Sequence, residues 1–178
     1  MLLSIVVPVY NEEENIANFY KAVTDVMSGL TYDYELIFVD DGSSDSSAMI
    51  LREIAFNDKH VKVLLLARNF GHQTALTCGL DYAHGDAVIT MDGDMQPPAL
   101  IPELVRLWES GYDVVRTIRD STDDASWAKS FTSKYYYKLM NKMADVPIVE
   151  GGSDFRLMNS KALGTLKRFR EHGRFLRG

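Results

Sequence analysis

Ala87-Val88-Ile89-Thr90-Met91-Asp92-Gly93-Asp94-Met95-Gln96 joins a short apolar run to a polar turn, and Pro97-Pro98 closes it. An apolar run of this length reads as a buried strand. In open α/β sheets, ligands collect beyond the carboxyl ends of the strands. Asp92, Asp94 and the amide oxygen of Gln96 leave such an end on alternating positions, where they can converge on one hard divalent cation. A cation of that kind keeps waters and completes its shell with substrate phosphates. The stretch therefore predicts an α/β sheet with a metal-bound nucleotide at its edge. Asp-x-Asp by itself arises easily by chance; the strand before it and Gln96 and the prolines after it single this one out.

Outward from this stretch, strand and helix patterns alternate along the chain. Leu2–Val9 reads as a strand and Asn11–Ser28 as a helix, with Asn11 its N-cap and Glu12–Glu14 favourable in the first turn. Tyr34–Val39 is a second strand, and the loop Asp40–Asp45 caps a helix to Phe56. Val61–Ala67 is a third strand, then a turn at Arg68–Gly71 and a helix to Ala83. After the Asp92 strand come a helix over 99–109, a break at Gly111 and a strand over 112–117. A helix over 126–144 and a glycine-rich turn at 150–154 follow, the turn entering Phe155–Met158 before a last helix, Ser160–Phe169. Such alternation predicts a mostly parallel central sheet with helices on both faces, in one domain spanning 1–178.

Composition narrows the function classes. The chain has 178 residues, 46% hydrophobic and 25% charged, with net charge −6 and a pI near 5.2. That balance argues against a nucleic-acid binder, which needs a broad cationic surface. The single cysteine, Cys78, excludes an intramolecular disulfide and reads as a small core residue on a helix. The opening residues lack a basic leader and a small-residue cleavage site, and no stretch has the ~18 apolar residues needed to span a bilayer; the expectation is a cytoplasmic protein. The histidines, His60, His72, His84 and His172, are scattered and predict no metal cluster, although His72 adjoins the Arg68–Gly71 turn.

Three more loops leave neighbouring strands at the same edge: Pro8-Val9-Tyr10-Asn11, Asp40-Asp41-Gly42-Ser43 and Arg68-Asn69-Phe70-Gly71. Together they offer a ring for stacking, carboxylates for a base or ribose, and a cation for phosphate. The same residue types also serve ordinary turns and caps; four such loops at one edge favour the ligand site.

In order along the chain, Val7-Pro8-Val9-Tyr10-Asn11-Glu12, Val39-Asp40-Asp41-Gly42-Ser43-Ser44-Asp45, Arg68-Asn69-Phe70-Gly71 and Met91-Asp92-Gly93-Asp94-Met95-Gln96-Pro97-Pro98 resemble the family 2 glycosyltransferases with a GT-A fold. The last of these, with Gly152-Ser153-Asp154-Phe155-Arg156-Leu157-Met158, is similar to the branch that glycosylates polyprenyl phosphates. The resemblance implies a Rossmann-like three-layer sandwich, and it implies roles. Pro8, Tyr10, Glu12 and Asp40 would line the base and ribose pocket, with Arg68 and Gly71 nearby. Asp92 would face ribose and metal, and Asp94 and Gln96 would coordinate Mg2+ or Mn2+ beside the diphosphate. Asp154 and Arg156 would stand at the sugar and acceptor end as catalytic residues, with Arg119 a candidate for the acceptor phosphate.

The implied reaction moves a hexosyl group with inversion from a nucleotide-sugar, a UDP-sugar favoured over a GDP-sugar, to undecaprenyl or another polyprenyl phosphate at the inner face of the cytoplasmic membrane. Two alternatives stay open: a soluble family 2 transferase acting on a saccharide hydroxyl, and a nucleotide-binding module without turnover. Lys134, Lys138 and Lys142 form a basic stripe beside Phe131, Tyr135 and Leu139, which suits either peripheral membrane contact or an ordinary solvated helix face. Members of this branch commonly continue past Arg174-Phe175-Leu176-Arg177-Gly178 into interfacial and transmembrane helices, so the expectation is a catalytic domain without that part.

Overall fold

The computed structural model describes residues 1–93, 96–118 and 152–168. Its elements are β1 (Leu2–Val9), α1 (Ile16–Ser28), β2 (Asp33–Asp40), α2 (Ser47–Asn57), β3 (Val61–Leu65), α3 (His72–Tyr82), β4 (Ala87–Thr90), a 3-10 turn (Pro98–Leu100) leading into α4 (Ile101–Glu109), β5 (Val114–Ile118), β6 (Gly152–Asn159) and α5 (Ser160–Arg168). Six strands form one sheet in the order β3-β2-β1-β4-β6-β5. The first four run parallel, and β6 lies antiparallel to both β4 and β5.

Helices cover both faces, and the pattern of each strand decides which side chain goes where. Leu3, Ile5, Val7 and Val9 of β1 point to one side, against Ile16, Phe19, Val23 and Met27 of α1, Leu51 of α2 and Ile101, Leu104 and Val105 of α4. Val6 points to the other, against Ala75, Leu76 and Leu80 of α3 and Leu163 of α5. Central parallel strands are buried on both faces and so read as continuous apolar runs; β4 is buried at all its positions. Each large apolar side chain taken fully from water contributes about 1.5–3 kcal/mol, so the spacing Ile16, Phe19, Val23, Met27 is enough to seat α1. Cys78 lies partly buried in α3 against the second core, as its sequence context suggested, and burial pushes its thiol pKa up.

Two local expectations are corrected. Asn11 does not cap a helix: it sits at φ 54, and α1 begins at Ile16. The backbone N–H groups that would have opened the helix go elsewhere, Asn11 to Ser43 Oγ and Glu12 to Ser47 Oγ at 2.9 Å each, and Glu13 to Asp45 Oδ2 at 3.2 Å. Asn11 Oδ1 in turn accepts from the Ser44 N–H at 2.8 Å, so the residues after β1 are tied to those after β2. Asp154, read as a turn residue beside two glycines, lies inside β6 and is buried. The helix expected over 126–144, with its lysine stripe, and the basic segment after Arg168 lie outside the described residues.

Candidate active site

The loops after β1, β2, β3 and β4 meet at one edge of the sheet around a cleft of about 370 Å³, lined by Pro8, Val9, Tyr10, Glu12, Asp41, Asn69, Gly71, His72, Asp92 and Gly93. Of the residues expected in the nucleotide pocket, Pro8, Tyr10, Glu12, Gly71 and Asp92 are brought together here. Tyr10 is 46% exposed, leaving its ring open for stacking.

Asp40 is placed beneath the cleft. It is buried, and its carboxylate accepts the Ser43 N–H at 3.3 and 3.4 Å. Its neighbour Asp41 is the one that lines the cleft, and it also braces it: Oδ1 accepts the Phe70 N–H at 2.8 Å and Oδ2 the Gly71 N–H at 2.9 Å. Gly42, at φ +70, lets the same loop press on the Arg68 backbone. Arg68 is exposed and carries its guanidinium 4.5 Å from the centre of the Phe70 ring, a cation–π arrangement.

Past β4, Asp92 and Gln96 clasp each other. The Asp92 N–H donates to Gln96 Oε1 at 2.8 Å, and Gln96 Nε2 donates to Asp92 Oδ2 at 2.9 Å. The clasp leaves Asp92 Oδ1 facing His72 Nε2 at 3.5 Å. The same His72 nitrogen lies 3.2 Å from Asp154 Oδ2, while Asp154 Oδ1 accepts from Arg156 Nη2 at 3.0 Å. Thr90 stands opposite Arg156 in the β4–β6 register, and Thr90 Oγ1 donates to the Asp154 carbonyl at 2.6 Å; this pairing carries Asp154 to the level of Asp92.

His72, Asp92 and Asp154 thus offer three ligand atoms that all lie within 4.8 Å of one another. One imidazole nitrogen and two carboxylate oxygens form a donor set that fits a divalent first-row ion. His72 was not among the predicted site residues, and its scattered position predicted no metal cluster, whereas the structure brings it within ligand distance of two carboxylates. Its one signal in the sequence was its place directly after Gly71. Asp94 and Arg119, expected as metal ligand and phosphate contact, lie outside the described residues.

Residues 4–166 match the family model for glycosyl transferase family 2. The chain belongs to glycosyl transferase family 2. It is 42% identical over 177 residues to an uncharacterized glycosyltransferase of a Synechocystis strain, covering 99% of this chain and 56% of that protein. It is 40% identical over 179 residues to the bactoprenol glucosyl transferase of Shigella phage SfV, covering 100% of this chain and 58% of the relative. The chain therefore spans little more than half the length of these relatives.

Among solved structures, a Pyrobaculum calidifontis mannosyltransferase in complex with GDP-Man and Mn2+ aligns with TM-score 0.60 at 20% identity, over 92% of this chain and 46% of that one. A Mycobacterium tuberculosis glucosyl-3-phosphoglycerate synthase in complex with Mn2+, UDP and phosphoglyceric acid aligns with TM-score 0.60 at 23% identity, over 89% and 55%. At these identities the likeness is one of fold, and it is the GT-A fold that the motifs of this family 2 member implied.

Proposed function

We propose that the chain binds a nucleotide-sugar, a UDP-sugar in preference to a GDP-sugar, and transfers its hexosyl group to undecaprenyl or a similar polyprenyl phosphate. The observation that carries this reading is the convergence of Asp154 on Asp92 and His72, two residues of a cleft that Pro8, Tyr10, Glu12 and Asp41 also line. The likeness to bactoprenol glucosyl transferases along the whole chain supports the acceptor class.

The chain's own residues account for most of what the reaction needs. Tyr10 offers an exposed ring to a base, and Asp41 fixes the backbone at Phe70 and at Gly71, which also lines the cleft. Asp92, with His72 and Asp154, would hold the cation beside the diphosphate, and Asp94 and Gln96 are its further candidates. A divalent cation there acts as a Lewis acid, stabilising the charge that grows on the leaving nucleoside diphosphate.

An acceptor phosphate oxygen attacks the anomeric carbon as its bond to the diphosphate breaks, so the configuration inverts. A phosphomonoester has its second pKa near ~6 and arrives as an anion, so it needs positioning and local positive charge more than a base. Arg156 supplies positive charge beside Asp154. The Asp154 carboxylate, with Oδ1 on Arg156 and Oδ2 beside His72, is placed as an anchor for cationic groups. Arg119 remains the candidate for the acceptor phosphate itself.

Among the described residues, no helix is long and apolar enough to cross a membrane; on this reading the lipid acceptor brings the site to the inner membrane face.

Calorimetric titration of UDP and GDP, with Mn2+ and with EDTA, tests the donor half. Transfer of labelled glucose from UDP-glucose to undecaprenyl phosphate in detergent tests the acceptor half. Metal-dependent UDP binding followed by lipid labelling is the expected result. Failure of both nucleotides to bind would overturn the reading in favour of a scaffold without turnover.

A further inference from the structure

Asn11 stands between two residues that line the cleft, Tyr10 and Glu12, and does not line it itself. Its φ of 54 is the one positive value outside glycine among the described residues. Asparagine enters this left-handed region more readily than most side chains. Residues kept there by their surroundings gather at functional sites.

The surroundings here are hydrogen bonds from one loop to another. The Asn11 N–H donates to Ser43 Oγ at 2.9 Å, and Asn11 Oδ1 accepts the Ser44 N–H at 2.8 Å. Ser43 is held in turn, its N–H donating to the buried Asp40 carboxylate. On the other side of Asn11, the Glu12 N–H donates to Ser47 Oγ, and Glu12 Oε2 accepts from Asn15 Nδ2 at 2.7 Å. Tyr10 has no such support. Among the described residues its side chain makes no hydrogen bond and no ring stacking. The ring is therefore aimed by the main chain, and the main chain that follows it is fixed at Asn11.

We infer that Asn11 is a positioning residue for the nucleotide: its left-handed backbone and its two ties to the Asp40–Ser44 loop set the Tyr10 ring for the base. The inference rests on the proposed function, which puts a nucleotide in this cleft. A ligand that finds its site in place only part of the time binds more weakly by that fraction. Loss of one hydrogen bond of ordinary net strength shifts such a balance by roughly 2–10-fold.

Calorimetric titration of UDP, with Mn2+ present, into the wild type, Asn11→Ala, Asn11→Gly and Asn11→Asp tests this. The KM and kcat of glucose transfer from UDP-glucose are measured beside it. Alanine loses the acceptor and resists the left-handed region, so UDP should bind about tenfold more weakly. Glycine takes that region freely but has no acceptor, and should weaken UDP by about threefold. Aspartate keeps an oxygen for the Ser44 N–H and tolerates the region, so it should bind close to the wild type. KM should follow the dissociation constant while kcat at saturating donor holds, the mark of an interaction made equally before and during the reaction. Circular dichroism and urea denaturation verify the fold, and Asn11→Gly carries the test where Asn11→Ala does not fold. In a chain that binds UDP without turnover, the dissociation constants decide alone.

Wild-type affinity in both Asn11→Ala and Asn11→Gly overturns the inference. So does an Asn11→Asp variant as weak as Asn11→Ala, or a fall in kcat with KM unchanged. A wild type that binds neither UDP nor GDP removes the proposed function and this inference together. A wild type that binds UDP no better than its Asn11 variants sinks the Asn11 assignment and leaves donor binding standing.

Discussion

His72 Nε2 and Asp154 Oδ2 approach to 3.2 Å, although β3, which precedes His72, and β6, which carries Asp154, are separated in the sheet by β2, β1 and β4. The contact is possible because α3 follows β3 in the chain but packs across β2 and β1, with His72 its first residue and part of the cleft lining. The N-terminal end of a helix carries partial positive charge, and here it points toward two carboxylates. The site is therefore held by the body of the fold, with α3 as the strut that spans it.

Replacing Asp154 tests whether that pairing matters to the reaction. Asp154→Asn keeps the shape and one acceptor but leaves the Arg156 guanidinium, 11% exposed at its side chain, beside a neutral amide. The expected loss of stability is about 1–3 kcal/mol, read by urea denaturation. Transfer should fall at least ~100-fold, the scale of removing one preorganised electrostatic group from an active site. Wild-type turnover in this variant would take Asp154 out of the mechanism.

Asp41 carries a separate prediction, because both of its oxygens are used by backbone N–H groups of the next loop. Asp41→Ala leaves the Phe70 and Gly71 N–H groups without that partner and should destabilise the chain by about 2–3 kcal/mol. It should also raise the UDP dissociation constant, since Gly71 and His72 line the cleft directly behind this brace. Unchanged denaturation and unchanged calorimetric affinity would show the brace to be dispensable.

Much of this was legible in the sequence, and the parts that were not share a cause. The strands β1, β2 and β4 follow from runs whose burial on both faces leaves a nearly continuous apolar signature, interrupted by the buried Ser4, Glu35 and Thr90. The four loops at the sheet edge follow from the strand ends. Asn11 misled because a polar residue before a helical pattern looks like a cap, whereas its φ of 54 is set by a loop more than thirty residues away in sequence. Asp154 misled because two glycines before it suggest a turn, while pairing with β4 and β5 makes the segment a strand. His72 has no local signal beyond its place directly after Gly71; its proximity to Asp92 and Asp154 depends on where α3 crosses the sheet.

The glycines of the site should differ in what they tolerate. A Cβ at Gly42 would stand 2.4 Å from the Arg68 carbonyl carbon and 2.7 Å from the Asn69 nitrogen, at φ +70, whereas one at Gly71, φ +95, meets nothing within 4 Å. Gly71→Ala therefore incurs only the backbone penalty, about 1–3 kcal/mol. Gly42→Ala adds a clash with main chain that cannot turn aside, so it should be the more destabilising of the two in thermal or urea unfolding. The reverse order would mean that the Asp40–Ser43 and Arg68–Gly71 loops separate easily.

At the opposite edge of the sheet, Glu35 makes stability depend on pH. Burial pushes its carboxyl pKa up, but hydrogen bonds from Lys62, from the Ser4 hydroxyl and from the His84 N–H together outweigh it and hold the group below its ordinary value of 4.5. With the folded value depressed, the stabilisation is complete above the unfolded value, near ~4.3, and is lost as pH falls through the folded one. Glu35→Gln should therefore lower stability by about 1–2 kcal/mol near neutral pH. The gap from the wild type should close in acid, because the wild-type carboxyl then binds a proton and gives up its advantage over the amide. Urea denaturation of both proteins at about pH 7 and about pH 3 reads this. A gap that stayed constant across that range would mean that the Glu35 charge adds nothing beyond the shape of its side chain.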